Sequence, residues 1–318
     1  MESDPRVSIV IPVYNGSDFL REAVDSALAQ TYRNVEVIVV DDGSDDGGKT
    51  EAIARSYGDR IRYIHKENGG VASALNAGIR AMRGECFSWL SHDDVYHPRK
   101  IEIQVARLKK EGRDVVLYGD YDLIDAASDR LETTRVGWMR EPRFRMTLVV
   151  DIPVNGCTVL VPKGCFDAVG IFDETLRVSQ DYDLWFRMAD RYDFVHVPDV
   201  LIKSRLHPGQ GTNVLREVCR EEGNATFIRF LDAIAGDPGS LSRERLARFF
   251  FKAAVRLKRR GYLPASEHAL GLYLAHADRG GPAPALARAG ALRYYGICAT
   301  RGVTRFYGLY RRVRAACG

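Results

Sequence analysis

VSIVIPVYNGSDFLREAVDSALAQTYRNVEVIVVDDGSDDG, residues 7–47, decides the fold. VSIVIPV at 7–13 is a short β-branched apolar run suited to a buried strand. Asn15-Gly16-Ser17-Asp18 supplies turn and helix-cap chemistry. FLREAVDSALAQ at 19–30 puts Leu20, Val24, Ala27 and Leu28 on one helical face. VEVIVV at 35–40 is a second buried strand, and it ends on the polar turn Asp41-Asp42-Gly43-Ser44-Asp45.

The alternation continues outward. A helix is expected over roughly 48–57, a strand at 61–64, a helix over 71–82 and a strand at 86–90. Pro98 opens a further helix to about 111, and VVLYGD at 115–120 is another strand. Strand–helix alternation predicts a mostly parallel sheet with right-handed crossovers, an α/β fold of Rossmann-like kind. Ligands of such sheets bind beyond the carboxyl ends of the strands. Beyond 121 the pattern loosens, and 125–150 reads as an irregular charged stretch. NGCTVLVP at 155–162 reads as strand, 163–169 and 179–191 as helix, and 194–207 as strand segments. From about 215 the chain is helical and rich in Ala, Leu and Arg, with breaks at 236–239 and 280–282.

Bulk properties set the class. With 318 residues the chain has room for one large domain and a smaller partner. No apolar run approaches 18 residues, and MESDPR lacks the basic start and apolar stretch of a signal peptide, so a cytosolic location is expected. The six cysteines form no C-x-x-C pair and read as reduced thiols. The net charge of +4 hides an asymmetry: residues 221–318 hold 17 Lys/Arg against 7 Asp/Glu, and residues 1–220 hold 29 against 35. A basic tail suits a phosphate-rich partner, and between 291 and 318 six arginines are interleaved with Tyr and Phe, with no acid. That composition suits peripheral contact with an anionic membrane at the inner face of the cell membrane, or a helical subdomain with a solvated basic face. No signature supports nucleic-acid binding.

Carboxylates collect where the strands end. Asp41-Asp42 follows the second strand, Asp93-Asp94 the fourth, and Asp181 opens a helix. A cation on a pyrophosphate takes one or two carboxylates and lets the phosphates fill other positions. Taken alone, Asp93-Asp94 suits a helix cap before Pro98 equally well. A separate carboxylate can serve as general base for an acceptor hydroxyl.

Five motifs in order then become recognisable: SIVIPVYNGSDFLREAVDSALAQTY at 8–32, VIVVDDGSDDG at 37–47, ENGGVASALNAG at 67–78, WLSHDDVYHP at 89–98 and SQDYDLWFRMA at 179–189. Together they resemble the family 2 glycosyltransferases of the GT-A fold. The resemblance implies an inverting transfer of sugar from a nucleotide sugar, typically a UDP-sugar, to a hydroxyl of a glycan or lipid-linked acceptor, in cell-surface polysaccharide synthesis. It places the nucleotide base against Pro12, Val13 and Tyr14, with Asp42 and its neighbour Asp41 as the base-reading acids. It lines the donor pocket with Asn68 and Asn76. It assigns Asp93 to the ribose, Asp94 to Mg²⁺ or Mn²⁺, and His207 to the pyrophosphate or metal. Asp181 falls where the catalytic base stands, preceded by Gln180 where many relatives carry Glu. His92 stands where a third acid is common. The implied domains are 1–215 (a nucleotide half, 1–110, and an acceptor half, 111–215) and a basic helical region, 216–318. A nucleotidyltransferase and a non-catalytic nucleotide-sugar-binding module are the alternatives.

Overall fold

In a computed structural model, residues 4–137, 141–239 and 241–277 are described. They fall into two compact units. One comprises residues up to Leu148 together with Ile152–Cys219; the other comprises Val149–Asp151 and the chain from Arg220.

The first unit opens with β1 (Val7–Val13), α1 (Leu20–Leu28), β2 (Val35–Asp41), α2 (Lys49–Arg55), β3 (Arg62–His65), α3 (Gly70–Ala81) and β4 (Cys86–Trp89). β5 (Val95–Tyr96), α4 (Lys100–Glu111), β6 (Val116–Ile124), β7 (Arg130–Thr134) and α5 (Phe144–Val150) follow. Then come β8 (Val161–Pro162), α6 (Lys163–Val169), α7 (Gln180–Met188), β9 (Phe194–Arg205) and α8 (Gly211–Val214). The first sheet runs β3-β2-β1-β4-β8; its first four strands are parallel and β8 is antiparallel to β4. All seven residues of β1 are buried, as a central parallel strand covered on both faces requires. Helix α3 lies close on β1 because Gly78 has no side chain: a Cβ there would stand 2.3 Å from Val10 Cγ1.

A second sheet, β5-β9-β6-β7, holds β6 parallel to β9 and antiparallel to β7. Two expectations change here. The stretch read as irregular contains β7 and α5. β7 is an edge strand of sequence RLETT with no buried residue, so no apolar alternation announces it. The run read as a strand over 155–162 opens with a 3₁₀ turn, Gly156–Thr158, because the Asn155 side chain accepts from Cys157 N and starts the turn; beyond it Leu160 bridges Leu117 and Val161–Pro162 pairs with β4.

The second unit is helical. α9 (Arg216–Gly236) enters it, and α10 (Arg243–Arg260) and α11 (Leu263–Ala277) fold back on each other. α10 ends at Gly261, whose φ of 89° is open to glycine, and Tyr262 N bonds Leu257 O at 3.0 Å, closing the cap. Ser266 Oγ donates to Ala254 O at 2.6 Å, and Ala265 N donates to Asn224 Oδ1 at 3.1 Å. Val149 O accepts from Arg260 Nη1 at 3.3 Å, and Asp151 faces Lys252 and Arg256 at 3.8 and 3.7 Å. The basic tail at 291–318 and the expected break at 280–282 lie outside the described residues.

Candidate active site

Parallel register aligns the carboxyl ends of the first four strands. Val13 pairs with Asp41, Asp41 with His65, and Val10 with Trp89. The loops that follow β1, β2, β3 and β4 therefore share one edge, the edge where open α/β sheets take ligands.

The acid pair after β2 is held by its neighbours. Asp42 is buried; its Oδ1 accepts from Lys66 Nζ at 2.6 Å, and its Oδ2 accepts from Gly70 N at 2.7 Å. Gly69 N lies 3.1 and 3.2 Å from the two oxygens. Asp41 accepts from Tyr63 OH at 2.6 Å and from Ser44 N at 2.9 Å. Burial works to raise the Asp41 carboxyl, but these hydrogen bonds outweigh it and hold it below the usual carboxylate range. Gly43, at φ 76°, lets the next loop approach: a Cβ there would stand 2.7 Å from Asn68 N. Asn68 itself is exposed at that loop. Pro12 and Val13 are buried, Val13 O accepts from Asp42 N at 2.8 Å, and Tyr14 projects 45% exposed with its OH on Asp45 Oδ1 at 3.3 Å.

The second acid pair follows β4. Asp94 is buried, and its Oδ1 accepts from Arg205 N at 2.8 Å. Burial and the neighbouring Asp93 charge push its carboxyl up to about 7. Asp93 Oδ2 meets His207 Nε2 at 2.9 Å. Burial opposes ionisation of Asp93 too, but the His207 hydrogen bond and the adjacent imidazoles prevail and lower it. His92 packs on the loop after β1, where a Cβ at Gly16 would stand 2.5 Å from its ring; burial drives its imidazole toward the neutral form. The residue that replaces the commoner acid thus joins two loops.

Two carboxylates and an imidazole on neighbouring loops are donors that Mg²⁺ or Mn²⁺ accepts. The like-charge strain on Asp94 is the strain a cation relieves, so the residues present fit such a group. Among the described residues no group of three or more His, Cys, Asp or Glu side chains is placed to hold a metal ion by itself.

Asn76 has a different place. It is buried, its Nδ2 donates to Phe172 O at 2.9 Å and Glu174 Oε1 at 2.8 Å, and Phe172 N donates to its Oδ1 at 3.0 Å. It ties α3 to the loop before α7. Asp181 sits in the first turn of α7, half-buried, with its Oδ1 accepting from Tyr182 N at 2.8 Å. Trp185 on the same helix is fully buried core. Two contributors escaped the sequence reading. Lys66 is visible only as one basic residue in a polar loop. Arg205 lies in a strand, and its partners stand far along the chain.

Comparisons with known proteins bear on the family and the fold. Residues 8–159 match Glycosyl transferase family 2. The chain is 44% identical over 273 residues to the uncharacterized glycosyltransferase RP339 of Rickettsia prowazekii (strain Madrid E), covering 84% of this chain and 85% of that one. The same identity and coverage hold for the uncharacterized glycosyltransferase RT0329 of Rickettsia typhi. Among solved structures, S. aureus TarS 1-349 is similar in fold, with a TM-score of 0.63 at 16% identity over 91% of this chain and 89% of that one. The mannosyltransferase PcManGT from Pyrobaculum calidifontis, in complex with GDP-Man and Mn²⁺, has a TM-score of 0.51 at 20% identity over 92% of this chain and 81% of that one. A GT-A arrangement of strands, acid pairs after the two strands that flank β1, and relatives of this similarity lead to one conclusion: the chain belongs to glycosyl transferase family 2 and is a glycosyltransferase enzyme.

Proposed function

We propose that the chain is an inverting, divalent-metal-dependent transferase that moves a sugar from a UDP-sugar to a hydroxyl of a glycan or lipid-linked acceptor in cell-surface polysaccharide synthesis. The observation that carries the reading is the pairing of Asp93 with His207 beside enclosed Asp94, one strand removed from the loop that bears Tyr14 and next but one to Asp42. The choice of UDP draws on S. aureus TarS, whose structure is known in complex with UDP-GlcNAc.

In this reading Tyr14 and Asp42 hold the base, Asp93 the ribose, and Asp94 with His207 the Mg²⁺ or Mn²⁺ on the diphosphate. When bound, that cation supplies charge neutralisation for the departing diphosphate. Lys66 has to leave Asp42 for the base to take its place, and its ammonium is then free to face donor phosphate. Asp181 takes the proton of the acceptor hydroxyl. The hydroxyl oxygen attacks the anomeric carbon on the face opposite the leaving UDP, so the configuration inverts. Asn68 lines the donor side, while Asn76 holds the loop before α7.

No helix among the described residues is long and apolar enough to cross a membrane. α10 carries eight Lys/Arg against Glu244 alone, a composition that suits peripheral contact with anionic lipid on the inner face of the cell membrane.

The test is a panel of UDP-sugars with Mn²⁺ and a glycan acceptor, reading release of UDP against release of pyrophosphate. UDP release that falls about 10²-fold or more in Asp94→Ala and Asp181→Ala is expected. Turnover unchanged in both variants overturns the site; release of pyrophosphate overturns the reaction class.

A further inference from the structure

Arg205, the last residue of β9, is 1% exposed, and its polar atoms bond the loop of Asp93 and Asp94, the turn between β6 and β7, and α1. Its backbone N donates to Asp94 Oδ1 at 2.8 Å. Its Nε donates to Asp93 O at 2.8 Å. Its Nη1 donates to Asp125 O at 3.1 Å, Ala126 O at 3.3 Å and Ser128 Oγ at 2.9 Å, in the turn between β6 and β7. Its Nη2 pairs with Glu22 Oε2 of α1 at 2.5 Å. The guanidinium carbon lies 4.4 Å from the centroid of the Phe19 ring, and that ring lies 5.2 Å from the imidazole of His207. Arg205 O also accepts from Gln210 Nε2, which ties the strand end to the loop carrying His207.

We propose that Arg205 is the positioning residue of the donor-diphosphate pocket, a clamp that fixes Asp93, Asp94 and His207 against one another before the donor arrives. The inference rests on the functional reading above, since it assumes that these three side chains meet a metal-bound diphosphate. The three belong to the loop after β4 and the loop after β9, which are far apart in sequence. One planar guanidinium is bonded to the first loop directly and reaches the second through Phe19. A buried guanidinium is costly unless its donors are paired. Here it faces the Glu22 carboxylate, three main-chain carbonyls and a hydroxyl, which hold it in one orientation. Lysine cannot reproduce this, because an ammonium is a point charge without the fork that reaches separate acceptors in one plane.

Metal ligands depend on such supporting groups, and their loss typically costs about 10–100-fold in metal affinity or activity. The experiment titrates Mn²⁺ into the full-length chain with UDP in a calorimeter, for wild type, Arg205→Lys and Glu22→Ala, each first checked for folding by circular dichroism and melting. Glu22 is nearly half exposed at the outer end of the clamp, so its variant stands in if Arg205→Lys does not fold. The expected result is an apparent Mn²⁺ affinity about tenfold weaker in the variants, with UDP binding in the absence of metal unchanged and full UDP affinity regained at saturating Mn²⁺. Unchanged Mn²⁺ affinity in a folded variant overturns the clamp. So does an equal fall in metal-free and metal-dependent UDP binding, which a merely structural role produces. A wild type that binds UDP with no dependence on Mn²⁺ overturns the functional reading itself, and the clamp with it.

Discussion

At the scale of the residue, Asn76 separates a structural role from a ligand-binding one. Both faces of its amide are bonded to Phe172 and Glu174. Asn76→Ala leaves the buried N–H and C=O of Phe172 unpaired, at a cost of about 1–3 kcal/mol. The melting temperature is expected to fall by several degrees while the donor KM stays within about twofold, a split that thermal melts and steady-state kinetics read directly. Asp41-Asp42 was legible in the sequence because an acid that closes a β-branched run sits at a strand end by local geometry alone, whereas Asp93-Asp94, beyond the short run CFSW, stood out only beside the other motifs. The partners of those acids were not. Lys66 on Asp42, His207 on Asp93 and Arg205 around Asp94 are tertiary pairings that no local pattern encodes. Only for His207 did family resemblance supply the association.

At the scale of the element, α4 is anchored by an unusual group. Lys100 is fully buried, and its Nζ reaches Gln104 Oε1 at 2.8 Å, Ser88 Oγ at 2.9 Å and Val159 O at 3.3 Å, above the Tyr96 ring at 4.3 Å. Burial pushes its ammonium down to about 7 from an ordinary value near 10.5. Between these values the unfolded chain binds the proton that the folded one releases. Stability therefore gains from this group as pH rises from about 7 toward 10, and nothing below 7, where both states are protonated. Urea melts at pH 7 and pH 9 are expected to show that gain in wild type and to lose it in Lys100→Met. An equal pH response in both proteins would assign the trend to other groups. Elements, like residues, differed in legibility. β1, β2 and α1 announce themselves by buried runs and a one-sided face. β7 does not, because an exposed polar edge strand carries no alternation, and α5 is two turns long in a stretch dominated by charge.

At the scale of the molecule, the sequence reading placed its domain boundary at 215/216, where composition turns helical and basic. The compact units divide at Cys219/Arg220, and Val149–Asp151 passes to the helical unit from the middle of the catalytic stretch. Composition averages over tens of residues, so a three-residue excursion is invisible to it. Val149 and Val150 are fully buried, and Asp151 faces Lys252 and Arg256. A fragment ending at Cys219 leaves that tripeptide without its helical partners. It is expected to melt below the full-length chain and to aggregate on concentration, as light scattering would report. A fragment as stable and as monodisperse as the whole would show that those contacts contribute nothing.

That tripeptide also bears on how such enzymes are shuffled. An exchange with one crossover point moves a continuous piece of gene. Here a single crossover near codon 219 delivers a catalytic cassette with a short stitch cut from its seam. Two coordinated exchanges, at the tripeptide and at the helices, transplant the pair intact.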